Sequence, residues 1–245
     1  MTSPKPTTVV VLFVRIPIPG RVKTRLAKDL GATRACELYK AIVADVLRSI
    51  KSAGLPLYLF CDRENDGNLP REWTDVSDSV VVQQGASIGD RMAAAFRYCF
   101  NEQIDKVILI GSDIPGIDAY VLLTAEKKLE SCDITIAPAA DGGYCLIAMK
   151  QNSFLPEIFN DIPWSTDAVL RNTFEICEKH DISIELLACL QDIDTIEDFD
   201  SYRLIPSATA YATNMWIENG GCLRVSTQSS GPDSGTELPQ RGAVL

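Results

Sequence analysis

The chain has 245 residues, 46% hydrophobic and 23% charged, a balance that builds one sizeable core and excludes a disordered or fibrous protein. Thirty-three acidic against 23 basic residues leave a formal charge of -10, which argues against a sequence-independent grip on nucleic acid or an anionic membrane. The single histidine, His180, argues against a His-based triad or a multi-histidine metal site, so a metal here would sit on oxygen.

The start, MTSPKPTTVVVLFV, is a short apolar run with prolines before it and Arg15 directly after it, unlike a signal peptide or membrane anchor. The compartment expected is the cytoplasm. Residues 8–14 (TVVVLFV) read as a strand buried on both faces, and a loop rich in Pro and Gly follows. From 32 to 52 apolar residues recur every three or four positions, from Ala35 and Leu38 to Leu47 and Ile50, which predicts an amphipathic helix. Strands are predicted over 55–61 and 80–83, then a helix carrying Ile88, Met92, Phe96 and Phe100. KVILI (106–110) is the clearest strand, and Pro115 forbids its continuation. A helix over 118–130, strands over 133–139 and 143–149, a helix near 166–180, a strand over 183–188 and a helix over 196–203 complete the alternation. Such a series predicts an α/β fold with a mainly parallel sheet covered on both faces.

After about residue 205 the pattern fails, and STQSSGPDSGTELPQRG (226–242) has almost nothing to bury. The expected division is therefore an α/β domain over 1–204 and a partly flexible extension over 205–245. Within the extension, Tyr211, Met215, Trp216 and Ile217 could pack on the domain or on a partner subunit. The eight cysteines (36, 61, 99, 132, 145, 177, 189 and 222) include no C-x-x-C, and several fall in apolar runs, so they read as reduced thiols.

In open α/β sheets, ligands bind beyond the carboxyl ends of the strands, so the residues after each strand carry the argument. After the first strand, Arg15, Arg21, Lys23 and Arg25 place four cations within eleven positions around Gly20. Glycine admits a close backbone approach and the cations neutralise charge, so the loop suits a diphosphate; the competing reading is a solvated basic face. It is not a Walker A loop, and no G-x-G-x-x-G is present. After the fourth strand, Asp113 could hold Mg2+ or Mn2+, and Asp192-Ile-Asp194 could bring a second carboxylate to the same edge. The alternatives are a turn role for Asp113 and helix capping by Asp194 or Thr195. Asp141-Gly142-Gly143-Tyr144 reads as a tight turn; the functional reading adds that its amides and Tyr144 line a substrate, with Asp141 as a base or a hydroxyl-orienting group. Trp164 reads as core or pocket wall, next to Ser165 or Thr166 as a helix cap.

The stretches FVRIPIPGRVKTRLAKDLG (13–31), QQGASIGDRMAAAF (83–96), LIGSDIP (109–115), APAADGGYCLIAM (137–149), IPWST (162–166) and DIDTIEDF (192–199) occur in this order. Together they resemble the bacterial glycosyltransferase-A-like family called radical-SAM/selenodomain-associated transferase type 1, of the nucleotide-diphospho-sugar transferase superfamily, over about residues 9–203. The resemblance implies a three-layer α/β/α sandwich that binds an activated nucleotide with a divalent cation. It places Gly20, Lys23 and Arg25, with Arg15 before them, on the phosphate side, and Asp113 and Asp194 at the metal. Beside it, the reading of the loops themselves puts Asp113 and Asp141 at the reaction and Gly142, Gly143, Tyr144 and Trp164 at the substrate. One departure is Ser112-Asp113, where metal-dependent glycosyltransferases commonly carry Asp-x-Asp. The implied activity is glycosyl transfer from a nucleoside-diphosphate sugar to a small-molecule acceptor. Two alternatives stand beside it: nucleotidylyl transfer to a phosphorylated small molecule with release of pyrophosphate, and nucleotide binding without catalysis.

Overall fold

The structure, a computed structural model, describes residues 7–62 and 68–221. Strand β1 (Thr8–Val14) is buried at every position because it packs on both sides. Val10, Leu12 and Val14 enter one hydrophobic cluster, and Val9, Val11 and Phe13 enter the other. Complete burial of such side chains contributes about 1.5–3 kcal/mol each, which is why this run has no polar alternation.

The other elements follow in chain order: α1 (Ala27–Leu30), α2 (Ala32–Ala53), β2 (Leu57–Cys61), α3 (Arg71–Thr74), β3 (Ser79–Val82) and α4 (Ile88–Asn101). Then come β4 (Lys106–Ile110), α5 (Ala119–Lys128), β5 (Ile134–Pro138) and β6 (Tyr144–Lys150). Last are α6 (Val169–Lys179), β7 (Ile184–Leu186), α7 (Ile196–Leu204) and α8 (Tyr211–Trp216). Among the described residues, seven strands form one sheet in the order β3-β2-β1-β4-β6-β5-β7. β6 runs antiparallel to β4 and β5, and the remaining pairs are parallel. Ile42 of α2, Leu122 of α5 and Phe199 of α7 join the cluster on one face, while Phe96 of α4 and Cys177 of α6 join the cluster on the other. The protein is a three-layer α/β/α sandwich with a mainly parallel sheet.

The topology places the site. From β1 the chain passes through α2 to β2 on one side, and from β3 it returns through α4 to β4 on the other side of β1. The strand order therefore reverses between β1 and β4, and a crevice opens beyond their carboxyl ends.

Local chemistry sets the boundaries. Asp118 caps α5 through the amide of Val121, and Thr195 with Asp198 forms a reciprocal capping box on α7. Neither Ser165 nor Thr166 caps α6, which starts later than expected, at Val169. Instead the Thr166 hydroxyl donates to the Pro163 carbonyl (2.7 Å) and accepts from the Ala168 amide (3.3 Å), holding the chain in a turn.

Helix α8 packs on the domain. Asp45, 2% exposed in the middle of α2, accepts hydrogen bonds from the amides of Ala212 and Thr213 (2.7 Å each) and from the Thr213 hydroxyl (2.8 Å). Trp216 meets Phe199 edge-on at 6.1 Å. The tail at 226–242 lies outside the described residues. Among the described residues, no helix is long and apolar enough to cross a membrane.

Candidate functional site

The loop after β1 is folded by its own backbone and anchored by apolar side chains. Gly20 adopts a φ of 80°, and its positive φ lets the chain reverse so that the Arg21 amide reaches the Ile18 carbonyl at 2.9 Å. Val22 and Leu26 are buried on either side of Lys23, which itself has a positive φ of 48°. This anchoring buries the Lys23 stem, leaving its side chain 4% exposed. Its ammonium Nζ lies 3.2 Å from Asp113 Oδ2 and 3.7 Å from Asp194 Oδ1. Arg25 donates to Asp194 Oδ2 at 2.9 Å.

The two carboxylates come from distant segments. Asp113 follows β4, and its carbonyl accepts from the Ile193 amide at 3.1 Å, which ties the Asp192–Asp194 segment to the crevice. The capping box at Thr195 and Asp198 leaves the Asp194 carboxylate available to the cations, and Asp198 also accepts from the Asp194 amide at 3.1 Å. Below them, the Tyr39 hydroxyl accepts from the Arg15 amide at 2.9 Å and lies 3.0 Å from the Ser112 hydroxyl. Burial raises this phenol well above its ordinary pKa, so it stays neutral and joins the two strand-end loops.

Around this floor runs a pocket bordered by four cations, Arg15, Lys23, Arg25 and Arg91, and four carboxylates, Asp62, Asp113, Asp192 and Asp194. The basic character expected of the loop is thus balanced in place. Arg15 is 3.8 Å from Asp62, at the end of β2. Gln83, at the end of β3, donates to the Phe60 carbonyl at 2.8 Å. Asp192 is 9% exposed. Burial, and then the neighbouring Asp113 charge, push its carboxyl up to about 7, against the opposing pull of Lys23. Asp192 was legible as the first acid of D-I-D, although Asp194 was the residue expected at the site.

The remaining expected site residues lie elsewhere. Gly20 is exposed on the outer turn of the loop and does not line the pocket. Asp141 Oδ1 accepts from the Gly143 amide at 3.0 Å, closing the β5–β6 turn. Gly142 has a φ of 91°, and a Cβ there would come within 2.5 Å of Asp167 Cα, so the turn is pressed against the segment leading into α6. Tyr144, expected to line a substrate, is 1% exposed in the core cluster that includes α4 and α6, edge-on to Trp164 at 6.2 Å. Trp164 borders a separate shallow groove with Ser87, Asp90, Phe159 and Asp161. None of Asp141, Gly142, Gly143, Tyr144 and Trp164 lines the charged pocket.

The donor set also bears on a metal. Among the described residues, no group of three or more His, Cys, Asp or Glu side chains gathers to hold one. Magnesium, however, is commonly held by one or two carboxylates together with substrate phosphates. Asp113 and Asp194 are such a pair, and a cationic group already lies against both. The residues fit a divalent ion shared with a phosphate, not an all-protein cage.

Comparison with known proteins bears on the fold and the family. A family described as an uncharacterized protein conserved in bacteria (DUF2064) matches residues 46–166. The crystal structure of a "putative nucleotide-diphospho-sugar transferase" from Desulfovibrio desulfuricans G20 is 30% identical, with 87% of this chain and 96% of that one covered at a TM-score of 0.77. Two further solved structures share the fold. The 4-diphosphocytidyl-2C-methyl-D-erythritol synthase of Anaerococcus prevotii DSM 20548 is 9% identical over 86% of this chain and 99% of that one (TM-score 0.52). A CMP:2-keto-3-deoxy-manno-octonic acid synthetase complexed with CTP is 12% identical over 81% and 98% (TM-score 0.50). No curated protein matches the chain. Its likeness to the Desulfovibrio protein spans nearly the whole of both chains, and this protein belongs to the nucleotide-diphospho-sugar transferase family with the glycosyltransferase-A-like fold.

Proposed function

We propose that the protein transfers a glycosyl group from a nucleoside-diphosphate sugar to a small-molecule acceptor. The observation that carries this reading is the convergence of Lys23, Arg25, Asp113 and Asp194 at the point where the strand order reverses. Lys23 and Arg25 would hold the diphosphate, where negative charge develops as the glycosyl bond breaks, and a preorganised cation there stabilises the leaving group. Asp113 and Asp194 are the residues that would hold Mg2+ or Mn2+, whose chemistry is to neutralise the same phosphate oxygens. Asp141, in the neighbouring β5–β6 turn, is the group we assign to the acceptor hydroxyl.

A second reading draws on Arg15 and Arg91, which also line the same pocket and would serve a triphosphate. In that reading the reaction is nucleotidylyl transfer onto a phosphorylated small molecule, with pyrophosphate leaving.

The test is incubation with UDP-, GDP-, CDP-, ADP- and TDP-sugars and with nucleoside triphosphates, each with Mg2+ or Mn2+, alongside thermal-shift measurement. Release of nucleoside diphosphate supports glycosyl transfer, and pyrophosphate supports the second reading. A thermal shift without turnover of any donor would leave a nucleotide-binding protein, and no shift with any nucleotide would overturn both reactions.

A further inference from the structure

The Lys23 ammonium lies against the two carboxylates that a divalent ion would use. A metal ion binds carboxylate oxygen at about 2.0–2.6 Å. The present contacts place Nζ on Asp113 Oδ2 and Asp194 Oδ1, one oxygen of each carboxylate that would hold such an ion. Two cations crowded onto one pair of carboxylates repel strongly in a part-buried site, so ammonium and metal exclude one another. Lys23 is also not an exposed side chain free to swing into water, since 4% of it is exposed and Val22 and Leu26 anchor its loop. It leaves the carboxylates only for another anion in the same pocket.

We propose that the carboxylate pair Asp113 and Asp194 is a single cation position with two alternative occupants, the Lys23 ammonium in the free protein and a divalent ion once a diphosphate has drawn the ammonium onto itself. The inference rests on the reading that the pocket takes a nucleoside diphosphate. Its consequence is ordered, mutually reinforcing binding: the diphosphate raises metal affinity, and by thermodynamic reciprocity the metal raises diphosphate affinity by the same factor. Arg25 pairs with the other oxygen of Asp194, Oδ2, at 2.9 Å and fixes that carboxylate in the free protein.

The experiment is Mn2+ binding to the full chain, followed by the loss of the free-ion electron paramagnetic resonance signal. Lys23→Met keeps the stem and removes the charge, so it is expected to bind Mn2+ about tenfold or more tightly than wild type without any nucleotide. Asp194→Asn in the Lys23→Met background should abolish that gain. Equal or weaker Mn2+ binding by folded Lys23→Met overturns the proposal. If circular dichroism shows that Lys23→Met does not fold, the wild-type protein is titrated with Mn2+ at saturating UDP in one arm and saturating GDP in another, each against the same nucleotide without protein. The arm that binds should raise Mn2+ affinity by about tenfold, and unchanged affinity in a nucleotide-bound arm overturns the exchange. A failure of UDP, GDP and all other nucleotides to bind counts against the proposed function, whereas the Lys23→Met comparison needs no nucleotide and decides the exchange separately.

Discussion

The crevice after β1 and β4 and the turn between β5 and β6 sit at the same edge of the sheet, and both combine glycine with acidic residues. They are built in opposite ways. At the crevice, long side chains from three segments converge, with Lys23 meeting Asp113 across 90 residues and Arg25 meeting Asp194 across 169. At the turn, the contacts are local or close-packed: Asp141 bonds an amide two residues on, and Gly142 presses on Asp167. Charge gathered from afar leaves a pocket that a ligand can reorganise, whereas backbone packed on backbone leaves little to reorganise.

The widest separation between the two regions should come from Lys23→Ala. It should weaken nucleoside-diphosphate binding by about 100-fold, or about 2.7 kcal/mol, in calorimetry, while the fold persists because Asp113 and Asp194 are about one-quarter exposed to water. Unchanged affinity would remove the loop from the site. Gly142→Val should act the other way round, lowering folding stability by about 2–3 kcal/mol in urea with nucleotide affinity kept, since it adds strain and overlap at a closed turn. Stability within experimental error of wild type would contradict the packing described.

Tyr39→Phe removes the hydroxyl that joins the Arg15 and Ser112 loops and should cost about 1 kcal/mol in both stability and nucleotide affinity. An effect on stability alone would mean that the junction does not position the pocket. Asp141→Asn should change nucleotide affinity by less than about 0.5 kcal/mol, well below the Lys23 effect, because Asp141 does not line the pocket.

A smaller expected effect lies at the opposite edge of the sheet. Burial alone would raise the Asp133 carboxyl, but hydrogen bonds from Ser153 and Ser183, with Lys150 nearby, hold it well below the usual carboxylate range. A depressed folded pKa contributes stability above the unfolded value of about 4 that is lost as pH falls toward the folded value. Asp133→Asn should therefore be less stable than wild type at pH 6, with the gap narrowing below about pH 4 in acid titration. A gap that stays constant through that range would mean the loss is one of packing.

Much of this architecture was legible. The runs TVVVLFV and KVILI coincide with β1 and β4 because each is apolar after its first residue and ended by a loop signal, Pro and Gly or Pro115. Lys23, Asp113 and Asp194 stand out in the sequence as charged residues of the loops beyond the strands, but their mutual pairing does not, since it is set by strand order and not by spacing. Tyr144 misled because β6 is buried on both faces, so no polar alternation tells which side of the strand meets a pocket. Thr166 looked like a cap, but its hydroxyl serves a turn one step earlier. Asp45 was a visible signal left unread, an acid between Val43 and Val46 on the apolar stripe of α2.

That buried acid ties the history of two distant parts of the chain together. With α8 in place, Asp45 is fully supplied with donors; without it, a carboxylate would face an apolar surface with only Arg48 beside it. The two features should therefore be inherited as a unit: relatives that dispense with α8 are expected to carry an uncharged residue at the position of Asp45. Acquisition of the helix should be matched by acquisition of the acid.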